Sequence, residues 1–590
     1  MNHPKSSKQS AGSAKHYVLP DHFDGIIVTA ILALTAVMIR SAGIKRGLEL
    51  MPWPDGLEYA ASGVNLASGR GAVLHFGGYT YPSRYTVGYP LILEFFYRLN
   101  GADFRPLYAS MILGMLSVFS VYMLTRGQFW RLAGTIGALL LALSPVFITY
   151  SSLVMSDVPT LFVTICAAVM LVVATSDYAT QSPSWMRMSA WLMFGLFAGF
   201  STIIRPSNAT ILVGLALCIV MVPLEKSDLS SLLKAGIAVA IGFAIPVAWQ
   251  LHQNSTNLGS AFASGYAWWV PEVYGAGGRT FSAAYLFGPT MPRNPHGNVI
   301  VYLTTLLGLD GMLGDPGDSR YFLYPFAAAA FAIVGFIAIF RAPGRSTARR
   351  LMWFGLGYLA ALTGLYCFYL FTDVAFILPG AFILFIAAGC GAEAANRYVR
   401  EVFKNRNRRT YKLASAASVI VLDVLLIVSL ASEVAARLSA QPQSSAMVAT
   451  LEEQDSTLPR DAIVVSNISL QFLDLYLGET RSYVGLNSLD PGERFTDYHL
   501  HRLYEKRAAG WNGPVPAVVF DGEQISQAEA DSLASAIDAK TPVFLLIAAP
   551  ESQQYADTLK GELDRLQSRF AVETVSQDEA VAVYQLTARR

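Results

Sequence analysis

What this chain can become is decided first by a series of apolar runs, each about as long as a lipid hydrocarbon core is thick. Such a core is about 30 Å and takes roughly 20 residues of helix. Runs of this kind begin near Gly25, Leu107, Leu132, Val158, Ser189, Ala209, Leu232, Tyr321, Met352, Val374 and Leu413. They predict about eleven spans. Charged residues are 14% of the 590, against roughly 25% in soluble domains. The class is therefore a polytopic α-helical membrane protein. The net charge of +1, with basic residues spread in short clusters, gives no sign of nucleic acid, and none is expected as a partner. Cys166, Cys218, Cys367 and Cys390 all fall inside apolar runs and read as small buried hydrophobes, without disulfide or metal spacing.

The first apolar run follows a polar segment holding Lys5, Lys8 and Lys15 and has no small-residue cleavage site, so it reads as an uncleaved first span. With the N-terminus inside, the inner connections receive Arg126, Arg131, Arg187, Lys226, Lys234, Arg341, Arg345, Arg349 and Arg350, and the cluster Arg397–Lys412. The outer connections near Ser151 and Asp373 carry no Lys or Arg. That bias predicts a cytoplasmic N-terminus, and an odd number of spans sends the C-terminus outside. The expected plan is a polar N-terminus over 1–22, a transmembrane body over 23–440 with outer loops 43–105 and 252–320, and an extracytoplasmic domain over 441–590. "GYPLILEFFYRL" (88–99) is too short to cross and predicts a helix lying at the interface. In the tail, "AIVVS", "AVVFD" and "PVFLLIA" predict buried strands, while "SQAEADSLASAID" and "SQQYADTLKGELDRLQSRF" predict amphipathic helices. That is an α/β domain large enough for its own core.

Polar residues near span ends are informative in such a chain. On the outer side stand Asp55 and Glu58 in "PDGLEYAASG", Arg84 in "YPSRYTVGYP", Asp157 in "SDVPTLF" and Arg205 in "STIIRPSN". His252, Arg320 in "GDSRYFLYP" and Asp373 in "FTDVAFILPG" complete the set. Each has a structural reading as well. Asp55 with Glu58, Asp157 and Asp373 can cap helices, the arginines can anchor at headgroups, His252 can be an interface histidine, and His75 and His296 lack a partner at metal-ligand spacing. Together, carboxylates can take a proton from a hydroxyl or hold a divalent metal. Arginines at the same depth can grip a phosphate in the headgroup layer. The substrate this combination implies is a phosphate carried on a lipid.

"PDGLEYAASGVNLASGRG" followed by "YPSRYTVGYPLILEFFYRLNG" resembles the first outer loop of the GT-C superfamily of integral membrane glycosyltransferases. It is most similar to the bacterial branch holding the lipid A aminoarabinose transferases, with likeness to protein O-mannosyltransferases. "SDVPTLF", "STIIRPSN", "FTDVAFILPGAFILFIAAG" and the tail's "SNISLQFLDLYLGETRSYVG" resemble later segments of that superfamily, in the expected order. The resemblance implies a GT-C-like fold in the bacterial inner membrane. It implies transfer of a sugar, usually with inversion, from a polyprenyl-phosphate donor to a glycan, lipid or protein acceptor outside the cytoplasm. By position, Asp55 would activate the acceptor and Asp157 would support it or, with Asp55, a divalent metal. Arg84 would contact the donor phosphate with help from Arg205 and Arg320. Glu58, Tyr59, Tyr85, His252 and Asp373 would be accessory. Gly56 after Asp55, where mannosyltransferases have adjacent acids, and Ala375, where relatives often carry arginine, are departures. Trp268, Trp269 and Tyr274 in "YAWWVPEVYGAGG" are candidates for stacking on a sugar or for an interfacial belt. A transporter or flippase of a lipid-linked saccharide, or a non-catalytic scaffold, is the alternative. The absence of internal repeats and the charges gathered near one face weigh against transport.

Overall fold

The structure is a computed structural model. It describes residues 21–46, 55–76, 79–101, 105–176, 184–223, 229–269, 271–275, 278–290, 294–309, 323–342, 346–403, 445–468, 473, 476–478, 480–486, 527–548, 553–577 and 581–589. Among the described residues, five helical units are long and apolar enough to cross a membrane: Leu107–Gln128, Asp157–Thr175, Ser184–Ile204, Leu229–Leu258 and Val374–Val402. Shorter apolar helices cover Gly25–Arg40, Pro206–Met221 and Phe326–Arg341, and Ser346–Cys367 adds another helix of 22 residues. This is a multi-pass helical membrane body. The run expected from Leu413 lies outside the described residues.

Three expectations are corrected by the backbone. The run from Leu132 is not one straight span: it forms helices Arg131–Leu143 and Pro145–Ser151, bent by 63°. The cause is local, since a residue before proline is driven out of the helical region and Ser144 is extended at φ −62°, ψ 121°. The segment from Ala209 opens with a 3-10 turn, Pro206–Thr210, before helix Ile211–Met221. The helix expected to end at His252 continues to Leu258, so His252 sits within it and is exposed.

The two long loops that the charge bias reads as outer carry structure of their own. Helix Asp55–Ala67 leads into a hairpin of strands β1 (Val73–Phe76) and β2 (Tyr79–Pro82), antiparallel in the register Leu74↔Tyr81. Helix Gly88–Asn100 follows, as the sequence predicts. Its start is pressed against the end of the Ser184–Ile204 helix. A Cβ at Gly88 would lie 2.5 Å from Ile204 N and 2.6 Å from Ile203 O, so only glycine permits this approach. Thr86 Oγ1 donates to Ile204 O at 2.9 Å, and Gln250 Oε1 accepts from Val87 N–H at 2.8 Å. The first outer loop is thus tied to the ends of two membrane helices.

The described tail builds a five-stranded mixed sheet, ordered β4-β3-β5-β7-β6, from β3 (Ile463–Ser466), β4 (Ser482–Gly485), β5 (Val543–Ala548), β6 (Phe570–Gln577) and β7 (Val581–Ala588). β3 pairs parallel with β4 and β5, and β7 closes antiparallel on β5 and β6. Helices Gln527–Asp538 and Gln553–Arg569 fall where the amphipathic segments were read. "AVVFD" lies outside the described residues. Leu451, Leu458 and Val464 of the tail share one buried cluster with Leu57, Tyr89, Leu93 and Tyr97 of the first outer loop. Arg105, just after that loop's helix, also pairs with Glu452 of the tail at 3.4 Å.

Candidate active site

The site begins with helix Asp55–Ala67. Spacings of three and four residues put Asp55, Glu58 and Tyr59 on one face. Glu58 is buried and meets Arg84 across the hairpin: Arg84 Nε donates to Oε1 at 2.5 Å, and the Arg84 backbone N–H donates to Oε2 at 3.1 Å. The Arg84 Nη2 group completes the ion pair with Oε1. Burial pushes the Glu58 carboxyl above its ordinary value, against the opposing pull of Arg84. Arg84 is only 6% exposed, which sets aside the reading of a headgroup anchor. The pair instead locks the first helix to the hairpin's exit.

Tyr85, next in the chain, donates its hydroxyl to Asp55 Oδ1. Burial, reinforced by the Asp55 carboxylate, holds that phenol protonated well above the usual tyrosine range, which fixes it as the donor. Tyr85 also begins an aromatic wall. Its ring lies 4.7 Å from Tyr59 and 5.2 Å from Tyr266, and Tyr266 lies 4.9 Å from Tyr274.

A second anchor comes from the membrane helices. Asp157, fully buried in the first turn of Asp157–Thr175, accepts from Arg205 Nη1 at 2.6 Å. Its other oxygen, Oδ2, is buried with no hydrogen-bond partner among the described residues. Tyr59 Oη donates to Ser156 Oγ at 3.3 Å, so the two anchors touch. The Arg205 guanidinium lies 4.8 Å from the centroid of the Phe376 ring, a cation–π contact. Asp373 joins from the next connection. Its Oδ1 accepts from Ala375 N–H at 2.8 Å, capping the 3-10 helix Val374–Ile377, and its Oδ2 accepts the Tyr150 hydroxyl. Asp55 and Asp373 both lie within electrostatic reach of Asp157.

Of the residues named from sequence, Asp55, Glu58, Tyr59, Arg84, Tyr85, Asp157, Arg205 and Asp373 thus fall in one neighbourhood. Exposed His252 makes none of the described contacts with it, and Arg320 lies outside the described residues. Trp269 is buried, and its indole N–H donates to Pro82 O at 2.8 Å. That bond docks the second outer loop on the first, with Tyr266 against Tyr85 and Tyr274 against Tyr266. Tyr150, Ser156, Tyr266 and Phe376 were not singled out from sequence. The usable signals were the adjacency of Ser156 to Asp157 and of Tyr266 to the quoted tryptophans. Tyr150, among Thr149, Ser151 and Ser152, and Phe376, three residues after Asp373, carried no signal of which partners they meet. No three His, Cys, Asp or Glu side chains among the described residues come together to hold a metal ion. Asp55 and Asp157, the ligands considered from sequence, each engage one oxygen, with Tyr85 and Arg205 respectively.

The loop docking makes one prediction. A Cβ at Gly265 would lie 2.2 Å from Ser83 O and 2.7 Å from Arg84 O. Gly265→Ala therefore forces the second outer loop away from the first at a cost of about 1–3 kcal/mol. The expected readout is faster proteolysis of the 259–309 segment than in the unaltered chain; equal rates would contradict this docking.

Fold and site define a class: the chain has the fold of the GT-C superfamily of membrane glycosyltransferases. Residues 85–249 match the family described as dolichyl-phosphate-mannose-protein mannosyltransferase. Among solved structures, the chain is similar to ArnT from Cupriavidus metallidurans bound to undecaprenyl phosphate. The TM-score is 0.57 at 13% identity, over 96% of this chain and 98% of that one. It is also similar to the Archaeoglobus fulgidus oligosaccharyltransferase AglB in complex with an inhibitory peptide and a dolichol-phosphate, with TM-score 0.50 at 12% identity, over 96% of this chain and 75% of that one. No curated protein matches the chain by sequence.

Proposed function

We propose that this chain transfers a sugar from a polyprenyl-phosphate-linked donor to an acceptor hydroxyl outside the cytoplasm, with inversion at the anomeric carbon. The observation that carries the reading is the joining of two carboxylate anchors, Asp55–Tyr85 and Asp157–Arg205, at neighbouring ends of outer loop and membrane helix. ArnT, bound to undecaprenyl phosphate, and AglB, bound to a dolichol-phosphate, support the donor class.

In this reading the donor lies in the outer leaflet with its phosphate at Arg205. Nη1 stays with Asp157, and the rest of the guanidinium edge meets phosphate oxygens in a charge-assisted way. The acceptor hydroxyl sits against Asp55, which takes its proton as the oxygen attacks the anomeric carbon from the face opposite the phosphate. The carbon–oxygen bond to phosphate breaks, and the lipid phosphate leaves with the electron pair, its charge held by Arg205. Tyr85 keeps one Asp55 oxygen occupied, which orients the other toward the acceptor. Arg84, through Glu58, fixes the frame of the first loop and adds positive potential beside the site. Arg320 would join as a further helper. The orientation with the N-terminus in the cytoplasm, the bacterial inner membrane as location, and the division at residues 22 and 440 belong to the same proposal. The opening of this acidic helix sits at the membrane surface because one substrate is itself a lipid.

The test is transfer in reconstituted membranes from a panel of radiolabelled polyprenyl-phosphate sugars to total envelope acceptor. Label reaching product with the unaltered chain identifies the sugar. No transfer from any donor, with Asp157→Asn behaving like the unaltered chain in cells, would overturn the reading.

A further inference from the structure

The connection at Asp373 is tied to Arg205 through a route that the proposed reaction leaves unused. The short helix Val374–Ile377 is held from two sides. Asp373 caps it through Ala375 N–H and takes the Tyr150 hydroxyl on its other oxygen, and Tyr302 Oη donates to the Asp373 backbone carbonyl at 3.3 Å. That helix carries Phe376, whose ring lies against Arg205 and also stacks on Tyr366 at 4.8 Å between centroids. Tyr366 is itself fixed by a 2.7 Å hydrogen bond between its hydroxyl and Ser207 Oγ, two residues beyond Arg205. The guanidinium is therefore bounded on one side by the Asp157 carboxylate and on another by a ring clamped in place.

Tyr150 comes from the helix that breaks away at Pro145, and this bend is what turns its hydroxyl toward Asp373. A straight continuation of Arg131–Leu143 would carry position 150 elsewhere. The bend, the cap and the stacked ring act on a single group. We propose that Asp373, Tyr150 and Phe376 are positioning residues that set the orientation of Arg205 toward the donor phosphate. This rests on the reading of Arg205 as the phosphate contact. It assigns the broken helix and the late outer connection to donor binding rather than to the acceptor side.

A merely structural role would lower folded yield or thermal stability without discriminating between substrates. The test therefore compares Tyr150→Phe, Asp373→Asn and Phe376→Leu by KM for each substrate and by kcat, with thermal unfolding in detergent as control. Tyr150→Phe removes one oxygen, and Phe376→Leu keeps an apolar side chain while removing the ring. The expected result is a rise of about tenfold in KM for the lipid phosphate donor in each. KM for the acceptor should stay unchanged, and Phe376→Tyr should restore the donor KM. An unchanged donor KM in all three, or a rise in acceptor KM alone, overturns the proposal while leaving the transferase reading intact. Absence of transfer by the unaltered chain removes the transferase reading, and this proposal with it. Should Asp373→Asn fail to fold, Phe376→Leu decides alone.

Discussion

Replacement of Asp55 by asparagine lowers kcat for sugar transfer by about 10²- to 10⁴-fold, the range that a positioned general base contributes. The amide keeps the shape of the side chain and can still accept from Tyr85, so the fold and the aromatic wall around it should persist. What disappears is the basicity needed to take the acceptor's proton. KM for the donor should hardly move, because no donor contact is assigned to Asp55. Tyr85→Phe is the informative companion. It removes the hydroxyl that holds one Asp55 oxygen and leaves the carboxylate itself, so a loss of about tenfold or less is expected. Steady-state kinetics on both variants, with unfolding curves to show that each is intact, check the prediction. An Asp55→Asn enzyme of nearly full activity would remove Asp55 from the base role.

Replacement of Arg205 by methionine should have two large effects at once. The Asp157–Arg205 pair is 0% and 16% exposed at its two side chains. Removing the cation leaves a buried carboxylate without its partner, an outcome that costs about 3–5 kcal/mol in comparable pairs. Donor binding should weaken by about a hundredfold, since charge-assisted hydrogen bonds to the phosphate are lost. The two effects separate in the Asp157→Asn, Arg205→Met double variant. Neutralising Asp157 relieves the uncompensated charge, so thermal stability should return toward that of the unaltered chain while donor binding stays weak. Stability that is unaffected in the single variant would mean that Asp157 is not held as described. A donor KM that is unaffected would remove Arg205 from the phosphate.

The two buried ion pairs of the site differ in kind. Glu58–Arg84 is buried at both ends and joins neighbouring parts of one loop, which suits a lock. Asp157–Arg205 keeps one carboxylate oxygen without a partner among the described residues and its arginine partly open, which suits a site. From sequence both arginines read alike, as cations at the outer face, and Arg84 stood first for the phosphate. Its engagement with Glu58 is what shifts the proposed phosphate contact to Arg205.

Much of this protein was legible as a string of residues. Hydropathy is a local, additive property, so the apolar runs at Leu107, Val158, Ser189, Leu232 and Val374 announced membrane helices that the structure contains. The tail's strands at 463–466 and 543–548 and its two amphipathic helices were visible for the same reason: alternation and helical periodicity are written over a few neighbouring residues. Even the acids and arginines could be collected, because charge next to an apolar run is conspicuous. What only the tertiary structure decided was pairing. Glu58 meets Arg84 across 26 positions, Asp157 meets Arg205 across 48, and Tyr150 meets Asp373 across 223. Which carboxylate takes which partner depends on how each helix is rotated about its axis and where the 63° bend sends Tyr150. Those are set by packing among helices, a property of the whole bundle that no window of sequence contains.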